Sequence, residues 1–312
     1  MQRIVSLLPS ATEIVCALGF QDQLVGRSHE CDYPQGIDQL PICTKAKFPQ
    51  GSSAEINQSV AALVKNGLSV YEVLGDVLEN IKPDFIVTQS QCEVCAVSMK
   101  DVEQAVCQLI SSRPEIINLE PVGYQDVFED ILKVGQTLGV ASRAQNLVQD
   151  LQNRIDLVAK TTEQITQKKS VVCIEWLEPL MNAANWVPTL VEKAGGINLM
   201  GEEAHHSHYI QWEDIVSLNP DVILIMPCGF SIDRTLEEIH LLTQLPGWQD
   251  LPAIIQKEVY LTDGNQYFNR PGPRLADSVE IISEILYPEL FPRKHSKRDW
   301  VELEEALETA QV

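Results

Sequence analysis

Two hydrophobic periods alternate along the chain. Short apolar runs of strand type are each followed by a stretch whose apolar residues recur every three or four positions. The first unit predicts a strand over residues 3–7, a turn at Pro9-Ser10, and a helix over 11–18 with Ser10 as N-cap and Gly19 as its stop. Residues 24–26 read as a second short strand, and 43–53, with Pro49 and Gly51, as a loop. Val70, Val73, Leu74, Val77, Leu78 and Ile81 predict a helix over 69–81, and an apolar strand follows Pro83-Asp84. Next come a helix over 98–111 and a strand over 115–119. From 124 to 164 a stripe of Val127, Ile131, Val134, Leu138, Leu147, Leu151, Ile155 and Val158 predicts a long helical connector that Gly139 can interrupt. The pattern then restarts. Strands are predicted over 170–176, 197–199, after Pro220-Asp221 and over 258–262; helices over 188–194, 212–218, 236–242 and 276–286.

Strands alternating with helices argue for parallel sheets with right-handed crossovers. The expected fold class is therefore α/β: two lobes, each a mainly parallel sheet with flanking helices, joined by a long connecting helix. The expected boundaries are an N-terminal lobe over 1–123, the connecting helix over 124–168, a C-terminal lobe over 169–292 and a charged, solvated tail over 293–312. One phrase occurs twice. Ile81-Lys82-Pro83-Asp84-Phe85-Ile86-Val87 leads to Cys92, and Leu218-Asn219-Pro220-Asp221-Val222-Ile223-Leu224 leads to Cys228. Each is a helix end, a Pro-Asp turn, a strand and a loop bearing a thiol. Loops at the carboxyl ends of such strands are where α/β proteins place ligands.

Charge narrows the function. A formal net charge of −21 over 312 residues lacks the basic footprint that nucleic-acid binding needs and disfavours an anionic membrane surface. No apolar run approaches the roughly 18 residues of a membrane span, so no stable membrane association is expected. Met1-Gln2-Arg3 runs straight into a strand without the charged and apolar regions of a secretory signal. Eight cysteines are few for this length and several sit in apolar segments, which does not resemble a disulfide framework. A cytoplasmic location is the expectation, unless a leader has been removed.

Candidate chemistry concentrates in the predicted loops. Cys92 and Cys95 form a Cys-x-x-Cys after a strand; two thiolates so spaced can share one soft metal, form a redox pair, or pack as structural thiols. His29 and Cys31 follow an early strand and would complete a mixed N/S site, or else bond backbone and pack. His206 and His208 lie in a polar loop, with Cys228 beyond the second Pro-Asp strand; imidazole suits Zn, Fe or Co. Trp176, Tyr209, Phe230 and Tyr267 lie at or near strand ends and can form apolar walls for a large planar ligand. Arg270 precedes Pro271-Gly272-Pro273, so a stiffly held guanidinium there can pair with carboxylate or phosphate. Glu175 and Glu178 flank Trp176 without an accompanying nucleophile and base. The sequence has neither a phosphate-cradling glycine-rich loop nor a G-x-S-x-G elbow.

These segments resemble a known family. Arg3-Ile4-Val5-Ser6-Leu7-Leu8-Pro9-Ser10-Ala11-Thr12-Glu13 and both Pro-Asp phrases are similar to landmarks of the substrate-binding proteins of vitamin B12 and iron-siderophore ABC transporters. The likeness covers residues 3–290. Ser28-His29-Glu30-Cys31-Asp32-Tyr33-Pro34, Gln91-Cys92-Glu93-Val94-Cys95, Glu175-Trp176-Leu177-Glu178-Pro179 and Asn269-Arg270-Pro271-Gly272-Pro273-Arg274 look like a leaderless branch of it regarded as cobalamin-binding. The resemblance implies two α/β lobes on one rigid helix, no enzymatic activity, and a small-molecule metal chelate (a corrinoid such as cobalamin, or an iron siderophore) held in a cleft between lobes. Asn269 joins the ligand-binding candidates Trp176, Glu175, Tyr209, Phe230, Tyr267 and Arg270 on this ground. The missing leader puts docking on a permease in doubt. Two alternatives stand: binding or sensing of a bare transition metal through the Cys/His loops, and a metal- or thiol-dependent enzyme on the same fold.

Overall fold

The computed structural model describes residues 1–66, 70–89, 102 and 112–310. The helix expected over 98–111 therefore lies outside the described residues, apart from position 102. Contacts divide the chain into two compact units. The first draws on 1–51, 55–121 and 125–149, the second on 52–54, 122–124 and 150 onward.

In the first unit the order is β1 (Ile4–Ser6), α1 (Pro9–Ala17), β2 (Leu24–Gly26), β3 (Thr44–Ala46), α2 (Ser53–Lys65), β4 (Tyr71–Val73), α3 (Gly75–Ile81), β5 (Phe85–Gln89) and β6 (Glu115–Leu119). Helices α4 (Tyr124–Thr137) and α5 (Ala141–Thr162) follow, α5 belonging to the second unit from residue 150. A wholly parallel sheet runs β2-β1-β5-β6. Val5, Leu7, Leu78, Ile81 and Ile86 pack together as its core. Proline at the first turn of α1 suits a position whose N–H has no helical partner. Leu8, extended at φ −157°, is therefore the N-cap, not Ser10.

Two expectations near β3 need correction. Residues 43–53 are not all loop, because Thr44–Ala46 pairs antiparallel with Tyr71–Val73. The helix expected over 69–81 begins only at Gly75. Val70, Tyr71, Val73 and Leu74 satisfy helical spacing, but β-branched and aromatic residues also suit a pleated surface, and the partner strand decides. Helix α2 had a signal of its own in Ile56, Val60, Leu63 and Val64. The connector is two helices, with Gly139 between them at φ +77°, a left-handed conformation that costs glycine little.

The second unit contains β7 (Ser170–Trp176), β8 (Met181–Asn182), α6 (Val187–Lys193), β9 (Ile197–Asn198), α7 (Trp212–Leu218), β10 (Val222–Ile225), α8 (Ile232–Glu238), α9 (His240–Thr243), α10 (Pro252–Ile255), β11 (Val259–Thr262), α11 (Leu275–Leu286), β12 (Trp300–Glu302) and α12 (Leu303–Ala310). Its sheet runs β12-β11-β10-β7-β8, with β9 also on β7. The β7, β9, β10 and β11 pairings are parallel; β8 and β12 join antiparallel. The tail is thus no solvated appendage. Trp300 pairs with Thr262 across the β11–β12 ladder, its ring is buried, and its indole N–H donates to Glu284 Oε2 at 3.0 Å. An apolar face on an otherwise acidic segment outweighs its charge pattern.

The doubled Pro-Asp phrase is one device used in both units. Lys82 and Asn219 close α3 and α7 in the left-handed region, each at φ +51°. After the proline, Asp84 Oδ2 accepts the Arg3 backbone N–H at 2.8 Å, and Asp221 Oδ2 accepts that of Ser170 at 2.8 Å. Each carboxylate satisfies a backbone donor at the start of the neighbouring parallel strand, β1 or β7, where the ladder leaves it without a partner.

Candidate functional site

In the second unit, three adjacent strands end in chemically dense loops. At the end of β7, the Trp176 ring lies 5.1 Å from that of Phe230 at a 54° tilt. The Trp176 indole N–H is shared between the carbonyls of Ser53 (3.2 Å) and Glu178 (3.1 Å). Phe230 is buried, and the Arg234 guanidinium sits 4.3 Å above its ring. Beyond β10, the Cys228 backbone N–H donates to the Glu175 carbonyl at 3.1 Å, and the residue is half-buried. Beyond β11, Asn269 Nδ2 donates to the carbonyls of Met226 and Gly264, both at 3.0 Å, which ties this loop to the end of β10. Arg270 is buried and donates to Asn265 Oδ1 at 3.0 Å. Trp176, Phe230, Asn269 and Arg270 are therefore held on the same strand ends.

The other expected residues of this unit differ in their surroundings. Tyr267 directs its hydroxyl to Asp299 Oδ1 at 3.1 Å, and its ring meets His295 edge-on. Burial, then the Asp299 charge, push its pKa up. Tyr209 is exposed, as are His206 and His208. The backbone of His208 exchanges hydrogen bonds with Asn182. Glu175 Oε2 accepts the Ser207 hydroxyl at 2.8 Å. Burial lifts the Glu175 pKa to about 7, partly offset by hydrogen bonds from Ser207 and the Ala184 backbone. This carboxyl thus titrates near neutrality.

The first unit places His29 and Cys31 in the loop after β2. Cys31 is buried and its sulfur accepts the Thr12 hydroxyl at 3.0 Å. Thr12 in turn lies 2.8 Å from Ser6 Oγ at the end of β1. His29 Nδ1 is 2.8 Å from Thr44 Oγ1, and its ring meets Tyr71 edge-on at 5.1 Å. Cys92 and Cys95 lie outside the described residues. Among the described residues, His206, His208 and Cys228 form no three-ligand cluster. The grouping that does come together is Asp277, Glu280 and His295. Its charge is met from within the fold, because Arg154 Nη2 contacts Asp277 Oδ1 at 2.5 Å and Glu280 Oε2 at 2.9 Å.

Sequence reasoning missed Ser53, Arg234 and Glu238. The Glu238 carboxylate, buried in the second unit, accepts the Ser53 backbone N–H at 2.9 Å and the Ser53 hydroxyl at 2.5 Å, and pairs with Arg234. The Arg234-to-Glu238 spacing of four on a helix was visible; the Ser53 contact, 185 positions away, was not.

Comparison with known proteins agrees with this architecture. The periplasmic binding protein family profile matches residues 4–266. An uncharacterized ABC transporter substrate-binding lipoprotein, YvrC of Bacillus subtilis, is 23% identical, covering 93% of this chain and 81% of its own. The vitamin B12-binding protein of Vibrio parahaemolyticus is 22% identical over 91% of this chain and 89% of its own. The periplasmic heme-binding protein RhuT from Roseiflexus sp. RS-1 superposes with a TM-score of 0.69 at 21% identity, covering 93% of this chain and 99% of its own. With its profile matched across most of its length, the chain belongs to the periplasmic binding protein family, as the Pro-Asp landmarks and the mainly parallel sheets led one to expect.

Proposed function

We propose that the chain is a solute-binding protein for a metal chelate of the corrinoid or related tetrapyrrole class, and that it acts by binding rather than by catalysis. The observation that carries this reading is the set of groups on the ends of β7, β10 and β11. Trp176 and Phe230 offer an aromatic wall, and Arg270 is a buried cation held by Asn265. Burial of a flat apolar macrocycle against rings, with a guanidinium for its peripheral acidic groups, is how such sites gain affinity and orientation. The family's substrate-binding role, and relatives described as vitamin B12-binding and heme-binding, support the same class.

The test is titration of protein purified without oxygen against cyanocobalamin and hemin, followed by native mass spectrometry. One chelate per chain is expected. Trp176→Ala and Arg270→Gln should each weaken binding about tenfold or more, by the loss of an aromatic contact or a charge-assisted bond of about 1.5–3 kcal/mol. Failure of both chelates to bind refutes the reading.

A further inference from the structure

In the second unit, the loop after β11 carries Asn269 and Arg270, and the C-terminal tail holds the first half of that loop. The Asp263 backbone N–H donates to the Asp299 carbonyl at 2.9 Å, and the Tyr267 hydroxyl donates to Asp299 Oδ1 at 3.1 Å. Asp299 is itself fixed, because its Oδ2 accepts the Ser296 backbone N–H at 2.6 Å and the Ser296 hydroxyl at 2.8 Å. Within the loop, Asp263 Oδ1 accepts the backbone N–H groups of Asn265 (3.0 Å) and Gln266 (2.8 Å), and the Tyr267 N–H returns to the Asp263 carbonyl at 3.1 Å. Tyr267 and Asp299 both lie beyond residues 4–266, the span that the family profile matches.

What this tie fixes is a backbone that local preference does not hold. Phe268 stands at φ +62°, a left-handed conformation that is costly for a residue with a side chain and persists only where its surroundings impose it. Its buried backbone is held from within the unit: the N–H donates to Ser278 Oγ at 3.2 Å, and the carbonyl accepts the Trp186 indole N–H at 2.5 Å. On one side of Phe268 is Tyr267, whose ring lies 5.1 Å under the Arg274 guanidinium. On the other side Asn269 and Arg270 begin at once, and Arg270 donates to Asn265 Oδ1, inside the turn that Asp263 closes. The tail is anchored in turn on α11. The Lys294 backbone N–H and the Trp300 indole N–H both donate to the buried Glu284 carboxylate at 3.0 Å.

We propose that Tyr267 and Asp299 are positioning residues for the solute site: the tail over 293–302 sets the loop that carries Asn269 and Arg270, so tail docking and solute binding favour each other. The inference rests on the chelate-binding reading above. The two residues act through the loop and not by touching the ligand. With the loop ordered on folding, its ordering cost does not fall on binding, which is how preorganisation raises affinity. Two events coupled in this way are coupled reciprocally, so a bound solute must also steady the tail.

The test uses the full chain, with cyanocobalamin and hemin as probes, and reads amide hydrogen exchange alongside affinity. In the unaltered protein, a saturating probe should slow exchange in the tail amides of 294–302. Tyr267→Phe keeps the ring under Arg274 and removes only the hydroxyl. Its 265–269 amides should exchange several-fold faster without probe, its affinity should fall about two- to tenfold, and the probe should protect its tail less. Unchanged exchange in β10 shows that the variant is folded. Asp299→Ala should act in the same direction and more strongly, while Asp299→Asn, which keeps an acceptor for the Tyr267 hydroxyl, should recover most of the loss. Affinity in Tyr267→Phe and Asp299→Ala equal to that of the unaltered protein overturns the positioning role and leaves chelate binding intact, whether or not the loop exchanges faster. If the unaltered protein binds neither probe, the chelate-binding reading is what fails, and loop exchange in the variants then decides by itself whether the tail sets the loop.

Discussion

Replacing Glu238 by alanine should destabilise the second unit by about 3 kcal/mol, because its carboxylate is the acceptor for two buried donors. Ser53 is wholly buried and Glu238 is 7% exposed. The Ser53 backbone N–H and hydroxyl both end on this carboxylate. Leaving a buried polar group unsatisfied costs about 1–3 kcal/mol. The ion pair with Arg234 adds little, about 0.2–1 kcal/mol, since the Arg234 side chain is 26% exposed. Glu238→Gln retains an acceptor and should cost about 1 kcal/mol, as should Ser53→Ala. Urea unfolding of the single and double alanine variants gives a cycle whose coupling should be about 1 kcal/mol. The effect should depend on pH. Burial raises the Glu238 pKa, but the bonds from Ser53 and Arg234 outweigh it and hold the group below its ordinary 4.5. Its stabilisation is therefore complete above about 4.5 and lost as pH falls through the lowered folded value. An alanine variant within about 0.5 kcal/mol of the unaltered protein refutes the reasoning.

Three further outcomes follow from the same geometry. Glu175 is neutral in the folded state up to about pH 7 but ionises near 4.5 when unfolded; stability should fall as pH rises from about 4.5 to 7, and Glu175→Gln, which keeps an acceptor for Ser207, should flatten that slope in thermal melts at a series of pH values. Trp300→Ala removes a buried ring that bonds Glu284 and lies under Arg293, so denaturant titration should show a loss of about 3–5 kcal/mol, whereas a solvated tail would show none. A methyl group at Gly264 would stand 2.2 Å from the Pro227 carbonyl oxygen and 2.7 Å from the Met226 carbonyl carbon; Gly264→Ala should push the β10 and β11 loops apart, lower the melting temperature by several degrees and weaken chelate binding in the same titration, and an unchanged affinity would show that these loops do not hold the ligand.

How far the sequence could be read depended on the range of the interaction. Period and turn chemistry are local, so β2, β5, β6, β7 and α7 fall at the expected residues. Residues 69–81 misled because their spacing fits both helix and strand; Thr44–Ala46, nearly thirty positions earlier, settled the matter by pairing with Tyr71–Val73. The tail misled for the same reason. Its charge is visible locally, but the free edge of β11 that accepts Trp300–Glu302 exists only after folding. Among site residues, Trp176 and Arg270 could be proposed from their places at strand ends. Nothing near Ser53 announces Glu238, and nothing near His29 announces Thr44.

The Pro-Asp phrase shows where the fold stops determining the site. Its backbone role is the same in both copies, with a left-handed helix end, a proline, and a carboxylate on the first donor of the neighbouring strand. That role fixes where the next strand begins and therefore where its loop emerges, but it places no demand on what the loop contains. After β10 the loop holds Cys228, the left-handed Gly229 and Phe230, and Phe230 is engaged by Trp176 and Arg234. In the first unit, His29, whose Nδ1 lies 2.8 Å from Thr44 Oγ1, follows β2, a strand that no Pro-Asp turn precedes. The same scaffold step can thus serve ligands of different chemistry, because backbone pairing and loop chemistry are set by different residues. Exchanging Asp84 or Asp221 for asparagine should lower stability in urea unfolding while leaving chelate preference alone, whereas changes at Trp176 or Arg270 should alter preference with the strands in place.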